Sequence, residues 1–196
     1  DIHAQNNEGA TALHYVIGMK HNELIDTLLE HNANVNIVDG YNQSPLFIAA
    51  MTGNDYAAKK IIEKSTDINS SNINGFTPLM IAAQNNNIEI IKILIDNKVN
   101  IEDVRKRGGT ALSFAADKEN IEIVKLLIEN GANVNAQDLE MGITPLMNCA
   151  YMNKINTVAF LLYNGADKSI QDKSGKTALD YAKMRNNKKI VKLLEE

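Results

Sequence analysis

A chain of 196 residues that is 44% hydrophobic and 22% charged has enough core-forming side chains to fold, as one domain or as a short repeat array. Its net charge of −4 weighs against bulk nucleic-acid binding, which needs a basic surface to displace counterions from the phosphate backbone. No apolar run approaches the roughly 20 residues of a membrane-spanning helix, and a single cysteine, Cys149, rules out an internal disulfide.

The first residues, Asp1-Ile2-His3-Ala4-Gln5, align with Asn133-Val134-Asn135-Ala136-Gln137 further along. They are therefore expected to be the closing segment of a repeat whose two helices are missing, the upstream residues having been cut away or never having formed a full repeat. No basic-then-apolar leader is visible, so a signal peptide is expected to be removed or excluded. The compartment stays open, with the cytoplasm favoured over secretion. A short segment then recurs as Thr11-Ala12-Leu13, Ser44-Pro45-Leu46, Thr77-Pro78-Leu79, Thr110-Ala111-Leu112, Thr144-Pro145-Leu146 and Thr177-Ala178-Leu179, at intervals of 33, 33, 33, 34 and 33 residues. All 3 prolines of the chain share one phase of this repeat. That phase suits the first position of a helix, where the missing N–H has no intrahelical partner.

Each segment predicts a first helix capped by a Thr or Ser hydroxyl. In the fourth repeat this helix should run to Asp117, with Leu112, Ala115 and Ala116 on one apolar face. Asn120 then caps a second helix reaching Glu129, whose buried stripe is expected to be Ile121, Val124, Leu127 and Ile128, and Gly131 ends it in a left-handed conformation. Between the helices, Gly53, Asn86, Asn153 and Asn186 occupy one recurring position that calls for positive φ. Lys20 and Glu119 break that rule and should be strained or differently turned. Two residues before each Thr stands Gly9, Gly75, Gly108, Gly142 or Gly175, with Asn42 in the second repeat. The paired alanines Ala49-Ala50, Ala82-Ala83 and Ala115-Ala116 should let neighbouring repeats approach closely. The fifth repeat carries one extra residue within Asp138-Leu139-Glu140-Met141-Gly142, expected at the tip of a hairpin. The last repeat, with Lys183, Arg185, Lys188, Lys189 and Lys192, has the polarity of a terminal cap.

This pattern resembles the ankyrin repeat, whose signature is a period near 33 residues with Thr-Pro-Leu-His. Ile121-Glu122-Ile123-Val124-Lys125-Leu126-Leu127-Ile128 and Gly131-Ala132-Asn133-Val134-Asn135-Ala136 match its second half. The family's histidine survives only as His14, its counterparts being Phe47, Met80, Ser113, Met147 and Asp180. The resemblance covers essentially the whole chain. It implies an all-α repeat, an ankyrin-repeat solenoid of stacked helix-turn-helix pairs joined by β-hairpin-like loops. A single domain is expected over 1–196. Its repeats fall near 1–38 (with a partial upstream hairpin), 39–71, 72–104, 105–137, 138–171 and 172–196, the last a C-terminal cap.

The resemblance also implies a non-catalytic protein–protein interaction module, a scaffold or adaptor that binds a protein partner through its concave face. The alternative is the targeting array of a larger enzyme or secreted bacterial effector. No Gly-rich phosphate loop, nucleophile elbow or HExxH appears. His3, His21 and His31 lie in different phases, without metal-ligand spacing. Cys149 stands where other first helices carry alanine and reads as a small buried hydrophobe. No catalytic, metal or cofactor site is therefore expected, and the partner is a protein rather than a nucleic acid or a membrane, bound by a monomer. Partners of such arrays usually touch hairpin tips and the exposed end of the first helix. Carried over residue by residue, and keeping the apolar and basic positions, the candidates are Tyr41, Met51, Ile73, Phe76, Lys106, Arg107, Met141, Ile143, Tyr151 and Met152, with Met19 and Met184 from the end repeats. The apolar members are expected in two exposed patches around the basic pair, and exposed apolar patches mark interaction sites.

Overall fold

The computed structural model describes residues 1–105 and 109–196; Lys106, Arg107 and Gly108 lie outside the described residues. The described residues form twelve α-helices in six pairs: α1 (Ala12–Gly18) with α2 (Asn22–Glu30), α3 (Pro45–Thr52) with α4 (Asp55–Ile62), α5 (Pro78–Gln84) with α6 (Ile88–Asp96), α7 (Ala111–Asp117) with α8 (Ile121–Glu129), α9 (Pro145–Tyr151) with α10 (Ile155–Tyr163), and α11 (Ala178–Met184) with α12 (Lys188–Glu195). Among them the one β-like feature is an isolated bridge between Arg105 and Gly109. The fold class is thus the all-α repeat solenoid expected from the sequence. The chain divides into two compact units, Asp1–Asn100 and Ile101–Glu196.

In the first unit α1 packs on α3 and α3 on α5; in the second α7 packs on α9 and α9 on α11. These contacts are possible because Ala49, Ala50, Ala82, Ala83, Ala115, Ala116, Cys149 and Ala150 are all fully buried. A side chain of one or two heavy atoms lets one helix backbone lie close to the next. The helices begin where the hydroxyls predict. Ser44 Oγ accepts from Phe47 N at 3.1 Å, Thr77 Oγ1 from Met80 N at 3.3 Å and Thr144 Oγ1 from Met147 N at 3.2 Å. His14 closes the first cap from the other side, its Nδ1 accepting from Thr11 N at 3.2 Å.

The second helices lie outside the first ones and bury a narrower face. In α8 the buried residues are Ile123, Val124 and Leu127, whereas Ile121 and Ile128 are only half-buried. Val124 and Leu127 are buried as the periodicity predicts, while Ile123 takes the place expected for Ile121 and Ile128. The reason is that α8 packs chiefly on α7, so its burial follows that one neighbour rather than the helix period alone. The equivalent residues Ile90, Ile91 and Leu94 of α6 repeat the pattern.

Neighbouring repeats are also clamped by asparagine side chains at the start of second helices. Asn54 Nδ2 donates to Ile17 O at 3.1 Å, Asn87 Nδ2 to Ala50 O at 2.7 Å, and Asn187 Nδ2 to Ala150 O at 2.7 Å. Each satisfies a carbonyl that the short first helix leaves without an intrahelical donor. Asn54 meanwhile caps its own helix through Oδ1 and Ala57 N at 3.0 Å. In the fifth repeat Lys154 replaces the asparagine and instead pairs with Glu119 at 3.4 Å.

Lys20 (φ 59°) and Glu119 (φ 57°) adopt the same left-handed turn as Asn86 and Asn153, so packing imposes the conformation and the residues carry the strain. Lys98 (φ 60°) is a further case, at the position held by Gly131 and Gly165 in later repeats. A second local cost is Thr157 in α10, fully buried with a hydroxyl that has no partner among the described residues. Lys98→Gly is expected to raise the unfolding free energy by about 0.5–1 kcal/mol, and Thr157→Val by about 1 kcal/mol. Thermal melts should show a rise of about 2–4 °C per kcal/mol for a chain of this size. A lower melting temperature for Thr157→Val would mean that the hydroxyl is satisfied.

Candidate functional site

Each described hairpin tip but one starts from an Asn or Asp whose side-chain oxygen gathers the backbone amides of the turn. Asp39 Oδ1 accepts from Tyr41 N and Gln43 N, both at 2.9 Å, and Asn72 Oδ1 from Asn74 N and Phe76 N, both at 3.0 Å. The extra residue of the fifth repeat sits in the tip, as expected. There Asp138 bonds Ile143 across five residues, N to O at 3.0 Å, where Asp39 and Gln43 close across four. Asp138 serves the longer loop with both oxygens, Oδ1 accepting from Glu140 N and Met141 N and Oδ2 from Ile143 N. The exception is Arg105, whose guanidinium has no acceptor to offer an amide.

The tips also bond to one another. Gly40 N donates to Glu8 O at 2.7 Å, Ile73 N to Tyr41 O at 3.0 Å, and Lys173 N to Met141 O at 2.9 Å. This lacing fixes the backbone of each bonded tip against its neighbour.

In the first unit Tyr41 and Ile73 project from bonded tips and are 55% and 63% exposed. Met51, near the end of α3, is exposed as well. Phe76 is half-buried, at the foot of its tip rather than on the crest. In the second unit Met141 and Met152 are exposed, while Ile143 and Tyr151 are half-buried. Tyr151 is held in a cluster: the Tyr181 ring meets it edge-on at 6.0 Å between centroids, and the Arg185 guanidinium lies 4.8 Å from its centroid. Met19 and Met184 are exposed. Lys106 and Arg107, the expected basic pair, lie outside the described residues. Leu139, in the same tip as Met141 and 58% exposed, was missed; its place in the lengthened tip was the available signal. Tyr181 and Arg185 were missed because their pairing with Tyr151 joins residues thirty or more positions apart.

Other reactive groups are structural. Burial, then the charges of Asp117 and Glu119, push the Cys149 thiol up to about 12, which leaves it protonated and inert. Burial lowers the His14 pKa, and its ring nitrogens are engaged by Thr11 and by Gln43 O at 3.1 Å. Among the described residues no group of three or more His, Cys, Asp or Glu could hold a metal ion, and no helix is long and apolar enough to cross a membrane.

The family model for ankyrin repeats (three copies) matches residues 1–72, 49–138 and 139–196. Over 74 residues the chain is 36% identical to a probable 26S proteasome regulatory subunit p28 of Saccharomyces cerevisiae. The match covers 38% of this chain and 31% of that protein, so the chain is matched to under a third of that curated relative's length.

The last tip supplies a pH test of this architecture. Burial pushes the Asp172 carboxyl up. Hydrogen bonds from the Tyr181 hydroxyl (2.6 Å) and from Lys176 and Ser174 outweigh it and hold the pKa down to about 2. A depressed folded pKa stabilises above the unfolded value, near 3.9, and the effect is lost as pH falls toward 2. Asp172→Asn is therefore expected to melt earlier in urea than the parent at pH 7, with the gap narrowing between about pH 4 and pH 2. A gap independent of pH would place the effect in packing instead.

Proposed function

Because the chain belongs to the ankyrin-repeat family, whose repeats are in general protein–protein interaction modules, we propose that it is a non-catalytic scaffold or adaptor that holds a protein partner against its hairpin tips and first helices, the concave face expected of such repeats. The observation that carries this reading is the pair Tyr41 and Ile73, large apolar side chains kept in water on tips that are bonded backbone to backbone. Ordering loops on binding is costly, and a laced tip has met that cost beforehand. Tyrosine is favoured at binding hot spots, and the flexible thioethers of Met51, Met141 and Met152 adapt to a partner's contour. Phe76, Ile143 and Tyr151 would support the contact from half-buried positions. Lys106 and Arg107 enter the proposal on sequence grounds alone. The yeast relative is named as a regulatory subunit of the 26S proteasome, and a subunit works through contact with other proteins, which supports an interaction role. The proposed working form is a monomer that needs no cofactor.

The test uses Tyr41→Ala with Ile73→Ala, since both side chains are mostly exposed and contribute little to the core. Stability should stay within about 0.5 kcal/mol of the parent. Partners captured from native cells by the parent and identified by mass spectrometry should bind the double variant about a hundredfold more weakly in calorimetry. Undiminished affinity would remove the tips from the binding face.

A further inference from the structure

Where α9 and α11 end in the second unit, an arginine is held at the surface by a stack of rings. The Arg185 guanidinium lies 4.8 Å from the Tyr151 centroid, and the Tyr181 ring meets Tyr151 edge-on at 6.0 Å. Tyr181 is fixed in turn by its hydroxyl, which donates to Asp172 at 2.6 Å, and Asp172 is buried and gathers the amides of the last tip. Arg185 is nevertheless exposed, and its side chain makes no hydrogen bond and no ion pair among the described residues. The acids of its own repeat are engaged elsewhere. Asp180 accepts from the Thr177 amide and hydroxyl, both at 2.8 Å, and Glu195 pairs with Lys183 at 3.1 Å. At the same position of the third repeat, Asn85 directs its amide to Met51 O at 2.9 Å, a bond within the protein. Packing on a ring uses the face of a guanidinium and leaves the donors around its edge open. Met152 and Met184, both exposed, adjoin Tyr151 and Arg185 in the chain and set apolar surface beside those donors. The charge of the region has the same sign: in a chain of net charge −4, residues 172–196 carry seven lysines and arginines against four acids. A terminal cap needs polarity, but it does not need a guanidinium stacked across a repeat boundary.

We infer that this surface receives an acidic segment of the protein partner, with a Glu or Asp carboxylate on the Arg185 guanidinium and a neighbouring apolar side chain against Met152 and Met184. The inference rests on the protein-binding reading above and names the partner chemistry of one part of that face. A carboxylate suits the site because the guanidinium fork binds it through two parallel hydrogen bonds. The stack on Tyr151 sets the plane of that fork beforehand, so little side-chain freedom is lost when the acid arrives. The positive last repeat steers an acidic segment to this end of an otherwise negative chain. The methionines adapt to whatever apolar residue accompanies it.

The experiment titrates the isotope-labelled full chain at about 0.15 M salt, where charges beyond about 8 Å are screened, following backbone amide resonances. The probes are acetyl-Leu-Glu-Glu-Leu-amide, its neutral counterpart acetyl-Leu-Gln-Gln-Leu-amide, and acetyl-Leu-phosphoserine-Gln-Leu-amide, which carries about the charge of the first. Saturable shifts centred on residues 151–152 and 181–185 are expected with the glutamate peptide, with the glutamine peptide binding about tenfold more weakly. Arg185→Gln should weaken the glutamate peptide about tenfold, and Arg185→Lys, which keeps the charge without the fork, about threefold. Lys188→Gln with Lys192→Gln removes twice the charge from the same repeat but leaves the stack intact, and should cost less than about twofold. All variants are checked by thermal melt. If Arg185→Gln fails to fold, Arg185→Lys still decides the question. Absence of saturable shifts, an equal response to the glutamine peptide, tighter binding of the phosphoserine peptide, or an equal loss in the two-lysine variant overturns the inference. The two readings separate cleanly. No response to the glutamate peptide, with capture still lost in the Tyr41 and Ile73 variant, overturns the arginine site alone. A response with capture intact in that variant overturns the tips alone.

Discussion

Within each unit everything else depends on how closely the first helices approach one another. Ala49, Ala50, Ala82 and Ala83 in one unit, and Ala115, Ala116, Cys149 and Ala150 in the other, are fully buried because no larger side chain would allow that approach. Close approach buries the ends of helices only seven or eight residues long, and their last carbonyls then need donors from elsewhere. Asn54, Asn87 and Asn187 meet that need from the following repeat. The tight link to the second helix forces left-handed φ even on Lys20 and Glu119. The tips inherit the same spacing, which sets each one within bonding distance of the next.

A second row of bonds follows from the same stacking. Asn36 Oδ1 accepts from Thr66 N at 2.9 Å, Asn69 Oδ1 from Asn100 N at 2.8 Å, Glu102 Oε1 from Asn133 N at 2.9 Å and Asn135 Oδ1 from Asp167 N at 2.8 Å. Each repeat thus holds the loop of the next at a fixed register, as expected of an array whose stability resides in nearest-neighbour contacts. Departures from the pattern gather in the second unit: Arg105 where a tip wants an acceptor, Ser113 where a cap residue wants bulk, Lys154 where a clamp wants an amide, and Thr157 where the core wants a methyl. The regular repeats supply a rigid frame. The irregular ones leave a cleft between α7 and α9.

Much of this frame was legible beforehand, since its signals are local. Thr144 caps α9 three residues away, Pro145 opens the helix beside it, and Gly131 ends α8. What was not legible lies across repeats. Phe76 and Tyr41 read alike as tip aromatics, yet one is half-buried and the other exposed, a matter of which neighbour each ring meets. The α8 stripe kept Val124 and Leu127 but took Ile123 in place of Ile121 and Ile128, because its burial is set by α7 and not by the helix period alone.

The repeat period, the helix pairs, their caps and the family follow from the sequence alone, because each depends on residues within one turn or on recurrence at 33 residues. Which asparagines clamp a neighbour, which aromatics stand in water, and whether Ser113 beside Gly109 leaves a cleft were decided only in the tertiary structure. Those outcomes rest on contacts between residues some 29 to 37 positions apart, such as Asn54 with Ile17 and Asn42 with Ser71. Distance, burial and the direction of a side chain are set there by the stacking of whole repeats, and no local rule carries that information.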